Sequence, residues 1–108
     1  MAQTFKNAKK VLTASSSAIY TVPSATTAII IGCQVTNVGI ASHDLTMSWT
    51  DSSDGDAEIY LAEVIPIPDS AAYEPIGGKL VLEAGDVLKG LGDTTEVLEV
   101  TVSILEIS

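Results

Sequence analysis

Few side chains in this 108-residue sequence can do chemistry, and their spacing keeps them apart. His43 is the only histidine, so a serine or cysteine triad would have to be built on it. It precedes Asp44 at a strand start beside a turn and reads as a solvent-exposed turn histidine. Cys33 is the only cysteine. A reactive thiol needs a basic neighbour, and none lies close in sequence. One His and one Cys cannot make an ordinary zinc site within a single chain. Asp51, Asp54, Asp56 and Glu58 are clustered carboxylates of the kind a hard cation takes. They lack EF-hand spacing, because Gly55 stands where an oxygen ligand would be expected if Asp51 were first. An acidic hairpin turn is the better reading. Gly77, Gly78 and Lys79 lack the Gly-Lys-Ser/Thr helix start of a phosphate loop and read as a turn before a strand. Trp49, with Tyr20, Tyr60 and Tyr73, could line a sugar-binding platform, but Trp49 alternates in phase with Met47 and reads as core. No catalytic residue, cofactor site or metal ligand is expected, and the chain is not read as an enzyme.

The elements that would have to position these groups are strands. Helical periodicity is nearly absent, and period-two alternation recurs along the chain. Residues 1–13 form an N-terminal arm or a first strand, and residues 18–22 a short strand stopped by Pro23. Residues 26–38 are the strongest early strand, with Thr27, Ile29, Ile31, Cys33 and Val35 placed on one face. Gly32 marks a bulge or a close backbone approach within it. Residues 43–50 alternate cleanly, with Leu45, Met47 and Trp49 inward. Asp51 to Asp56 make a hairpin turn, in which the Asp-Gly pair tolerates positive φ. Residues 57–67 return, and residues 69–73 read as one helical turn capped by Asp69 or Ser70. Strands follow at residues 79–83, 86–89 and 95–107. In the last of these Leu98, Val100, Val102 and Ile104 share a face, while Leu105 and Ile107 stand on the polar one. Those two side chains are a candidate interface. About eight short strands with regular turns predict an all-β, single-domain antiparallel β-sandwich, jelly-roll or Ig-like, spanning residues 1–108.

Composition limits the partners. One domain of this length buries roughly 65% of the surface its unfolded chain exposes. The chain is 46% apolar and 18% charged, which argues against disorder. No apolar run approaches the ~18 residues of a membrane helix. No apolar stretch follows Lys6, Lys9 and Lys10, so a secretory leader is not expected. The net charge is −9 with no arginine, which argues against nucleic acid and against anionic membrane surfaces. All 14 acids lie at Asp44 or later, and three of the 5 lysines, Lys6, Lys9 and Lys10, precede them. That distribution suits a basic N-terminal stretch docking on the acidic flank of an identical neighbour, as dimer or trimer.

Several segments carry a family resemblance. These are Ala18-Ile19-Tyr20-Thr21-Val22-Pro23, residues 26–38, Trp49-Thr50-Asp51-Ser52-Ser53, residues 77–86 reading GGKLVLEAGD, and the terminal SILEI. Together they resemble small structural proteins of tailed bacteriophages over nearly the full length. The motifs are turn and strand signatures rather than chemistry. The resemblance implies a virion protein made in the host cytoplasm, as a head decoration (cement) protein or a neck or tail component. It implies contacts with the major capsid protein or other virion proteins and with copies of itself. It supplies no catalytic residue. A receptor- or carbohydrate-binding module on a tail fibre is the alternative.

Overall fold

The computed structural model describes residues 2–108 and contains nine strands among them. They are β1 (Gln3–Val11), β2 (Ser17–Thr21), β3 (Thr27–Asn37), β4 (His43–Asp51), β5 (Ala57–Ile67), β6 (Ala72–Tyr73), β7 (Leu80–Leu82), β8 (Val87–Gly92) and β9 (Leu98–Ile107). The strands form two antiparallel sheets. The first runs β1-β9-β3-β6, with β7 also on β3, and the second runs β2-β8-β4-β5. The pairs β1·β9, β2·β8, β3 with β6 and β7, and β4·β5 nest inside one another like a folded hairpin. That nesting is the jelly-roll order, and it decides between the two sandwich topologies the sequence allowed.

Alternation builds the core between the sheets. Leu98, Val100, Val102 and Ile104 of β9 face it, as their spacing predicts, with Leu45 and Met47 of β4 opposite. In β3 the phase differs from expectation. Ala28 and Ile30 are buried, then Cys33 and Val35, while Ile31 stays 39% exposed. The cause is a bulge. Ile30 pairs with Ile104 and Gly32 with Ser103, so Ile31 is an extra residue that turns the strand over. Gly32 does mark the irregularity, but a Cβ there would meet nothing within 4 Å, so no backbone approaches it closely.

Residues 69–73 are not a helical turn. Ala72 and Tyr73 pair with Thr36 and Val35 as a short edge strand, reached through Ser70 at φ 60. β9 lies between β1 and β3, with both edges bonded, so its edge cannot add a foreign strand. The N-terminal stretch occupies the edge instead, as β1. The other edges are poor templates. β2, β6 and β7 are short, and β5 carries two register shifts, Pro66 and a left-handed Val64 at φ 52.

Candidate functional site

The groups that could do chemistry are held in structural roles. The Nδ1 of His43 lies 2.8 Å from Oδ1 of Asp93, whose Oδ2 accepts from the Asp44 N–H at 3.0 Å. This pair fastens the start of β4 to the turn after β8. Burial pushes the Asp93 carboxyl up, but the Asp44 N–H and His43 outweigh it and hold the group below its ordinary value. Cys33 is 3% exposed in the core, and burial raises its thiol to about 12, leaving no thiolate at neutral pH.

The acidic turn is organised differently from its sequence pattern. Asp51 caps a 3₁₀ turn over Ser52–Asp54, and Gly55 completes the reversal at φ 63. Among the described residues Asp51, of the four acids grouped by spacing, joins a cluster of three carboxylates, with Glu83 and Asp86. Asp86 is 2% exposed. Its Oδ1 accepts from the Ser52 N–H at 2.9 Å and the Ser52 hydroxyl at 3.0 Å, and its Oδ2 from the Glu83 N–H at 2.8 Å. The carboxylate is a clasp between two turns, with both oxygens already engaged. Spacing missed this residue because its partner, Ser52, is 34 positions away.

The aromatic side chains do not converge. Trp49 pairs across the strand with Ile59, and Tyr60 pairs with Ser48. Directly opposed residues share a face, so Trp49 and Tyr60 point to opposite sides of the second sheet. Trp49 packs partly against the core, while Tyr60 is exposed. Tyr20 lies between the layers, where its hydroxyl donates to Glu106. Tyr73 belongs to the other sheet.

What the fold does bring together is an apolar row across the outer face of the first sheet. Phe5 opposes Leu105, Leu105 opposes Ile29, and Ile29 opposes Val81, spanning β1, β9, β3 and β7. Cross-strand opposition places all four on one face. The ends are the most exposed members, Phe5 at 77% and Val81 at 58%, with Leu105 and Ile29 half-buried between them. Ile107, also half-buried, extends the patch between Gln3 and Thr27. Leu105 and Ile107, the two candidates from sequence, thus sit inside a larger patch. Phe5, Ile29 and Val81 do not stand out in the sequence, because the extra residue at the bulge that Gly32 marks inverts the phase of β3, and pairing across β9 is not readable from local alternation.

The three N-terminal lysines divide between faces. Lys6 and Lys10 oppose Ile104 and Val100 on the core side at the rim, and Lys9 opposes Thr101 on the outer side. Lys6 lies 3.5 Å from Glu106 of its own chain, the carboxylate that also holds Tyr20. The bond between the sheets at this rim is that of Tyr20 to Glu106, with Lys6 beside it. Among the described residues Lys9 and Lys10 have no ion-pair partner.

Several solved structures share the fold at low sequence identity. A protein from the Bacillus endospore appendages that form disulfide-linked pili has a TM-score of 0.59 at 13% identity, covering 97% of this chain and 84% of that one. A chain of the acidic stable capsid of Helicobacter pylori bacteriophage KHP30 has a TM-score of 0.59 at 8% identity, covering 100% and 94%. The Drosophila NLP core, a structure concerned with pentamer formation and histone binding, has a TM-score of 0.53 at 14% identity, covering 99% and 98%. At these identities the likeness is one of fold. No protein-family model and no curated protein matches the sequence. No helix among the described residues is long and apolar enough to cross a membrane.

Proposed function

We propose that this chain is a non-enzymatic structural protein of a bacteriophage virion, a head decoration protein that binds the capsid surface through the outer face of its first sheet. The observation that carries the reading is the apolar row Phe5, Leu105, Ile29 and Val81. Soluble proteins keep such patches where a partner covers them. The second sheet lacks a matching stripe at its centre. There Ser48 and Thr50 lie under Tyr60, Lys89 and Glu58, and the Ser48 hydroxyl donates to Glu58. The continuous apolar row of the first sheet thus has no counterpart at the centre of the second, which suits a protein that lies on a shell through one face.

A phage capsid chain with this fold supports the virion setting. The pilus neighbour fits less well, because it belongs to a disulfide-linked assembly and Cys33 is buried where no second chain reaches it. A carbohydrate-binding tail module is weakened by the opposite facing of Trp49 and Tyr60. Immunogold electron microscopy of virions, with antibody raised against the purified chain, tests the location. Label over the head shell is expected. Label confined to the neck or tail would move the protein there, and unlabelled particles would overturn the virion reading.

A further inference from the structure

We propose that copies of this chain contact one another head to tail, the lysine-bearing edge of β1 in one copy meeting the acidic flank of β5 and β6 in the next. This deepens the assembly reading above by specifying self-contact. Hydrogen-bond alternation defines the first surface. Ala2 and Ser108 exchange both backbone bonds, at 3.0 and 2.9 Å, and the Leu12 N–H donates to the Leu98 carbonyl at 2.9 Å. The register between them is unbroken, so the even-numbered residues of β1 bond to β9. Gln3, Phe5, Asn7, Lys9 and Val11 therefore turn their N–H and C=O groups away from the sheet. β1 is the longest regular edge in the fold, and it bears Lys6, Lys9 and Lys10 with no acid.

The opposite flank carries the complementary charge. β1 and β2 lie at one side of the sandwich, which places β5, β6 and β7 at the other. Glu58 and Glu63 on β5, with Asp69 and Glu74 beside β6, are exposed there, and Lys79 is the one cation on these elements. Charge of opposite sign on opposite sides favours a heterologous contact, which closes into a ring or runs on as a filament. Pairing β1 with β1 of a second copy would instead gather the lysines of both chains in one seam, where like charges oppose association. The apolar row points the same way. It ends at one flank with Phe5 and at the other with Val81, so a head-to-tail contact brings one end of the row toward the other end in the next copy.

Sedimentation velocity and native mass spectrometry on the isolated full chain test this. The wild type should assemble at about 30 mM salt and shift toward monomer at about 500 mM, where screening acts within a few ångströms. Lys9→Glu with Lys10→Glu should weaken association by about tenfold or more, as should Glu63→Lys with Glu74→Lys. An equimolar mixture of the two variants should assemble again, because each then offers the flank the other needs. A wild type that stays monomeric overturns the proposal, as does a mixture that fails to recover. Tighter association of the lysine-reversed variant would mean a β1–β1 seam and also overturns it. Circular dichroism confirms folding, and Lys9→Gln serves where the double reversal unfolds. Virion labelling is read independently, so either proposal can fail alone.

Discussion

Replacing Asp86 by alanine should destabilise the protein by about 2–4 kcal/mol, and the value follows from which donors lose their acceptor. The carboxylate receives the Ser52 and Glu83 N–H groups at 2.9 and 2.8 Å, together with the Ser52 hydroxyl. The hydroxyl has a second acceptor in the Ala84 carbonyl at 2.8 Å, so it is not stranded. The two N–H groups have none. A buried donor left without a partner costs roughly 1–3 kcal/mol, and Ser52 and Glu83 are both exposed residues, which keeps the sum below the upper limit. For a domain of this size that corresponds to a fall in Tm of roughly 10–20 °C. Asp86→Asn should lie between, at about 1–2 kcal/mol, because its amide nitrogen must face one of the same donors. Urea denaturation of the three proteins, with thermal melts in EDTA and in excess calcium, provides the measurement. Calcium should leave Tm unchanged, since both oxygens are engaged. Loss of under about 0.5 kcal/mol in Asp86→Ala at unchanged m would refute the clasp. A calcium-dependent rise of several degrees would show that the carboxylates of Asp51, Glu83 and Asp86 serve a cation instead.

Phe5→Ala should leave the melting curve within about 0.5 kcal/mol of wild type, yet weaken incorporation into virions roughly 30-fold in competition with the unaltered chain. The exposed ring offers roughly 150 Å² to a partner, about 4 kcal/mol before ordering costs bring the net gain to about 2. Equal incorporation of both chains would exclude the apolar row as the contact. Val64→Asn should raise stability by about 1 kcal/mol in urea, because a β-branched residue at φ 52 is strained and asparagine tolerates that backbone. A neutral or lower value would mean the bulge carries no strain. Burial first, and then the Glu106 carboxylate, raise the Tyr20 phenol above its ordinary value. Its contribution is therefore intact below about pH 10 and is lost as pH rises toward the folded value. Tyr20→Phe should flatten that alkaline decline in urea titrations, and an unchanged decline would assign it to another group.

Most strands were legible because alternation is a local signal. The hairpin from His43 to Ile67 could be placed from its turn residues and phase, and β9 from the alternation of Leu98, Val100, Val102 and Ile104. The apolar patch proposed as an interface was only half legible. Leu105 and Ile107 stood out as apolar residues on a polar face of β9, but the residues that complete their patch come from β1, β3 and β7. Their arrival depends on pairing across up to 104 positions of sequence, the separation of Gln3 and Ile107, with Phe5 and Leu105 beside them. The bulge at Ile31 adds a second obstacle, since one extra residue exchanges the faces of everything before it. Asp86 and Asn37 were illegible for a related reason. Each looks like an ordinary turn residue, yet Asn37 is fully buried and donates to the Ala41 and Ile67 carbonyls, at 2.9 and 2.8 Å, while accepting from the Gly39 N–H at 2.8 Å. Long-range satisfaction of polar groups leaves no periodic trace.

Of the edges of the two sheets, β1 is the one suited to the self-contact proposed above. Every other edge is blunted, by shortness in β2, β6 and β7 and by bulges and proline in β5. A free regular edge beside an exposed apolar row is an aggregation hazard in a monomer. In β1 the hazard is limited by charge, since Lys6 and Lys10 point to the core side of the rim and Lys9 to the outer side. Lysines of one sign repel a second β1 but attract an acidic surface, so in the proposed contact the same residues that oppose indiscriminate edge pairing would select one partner flank. Lys6 differs, because it also pairs at 3.5 Å with Glu106 of its own sheet, the carboxylate that Tyr20 of β2 reaches from the other sheet. A contact that depends on Lys9 and Lys10 leaves the Tyr20–Glu106 link in place and can form and break without opening the sandwich.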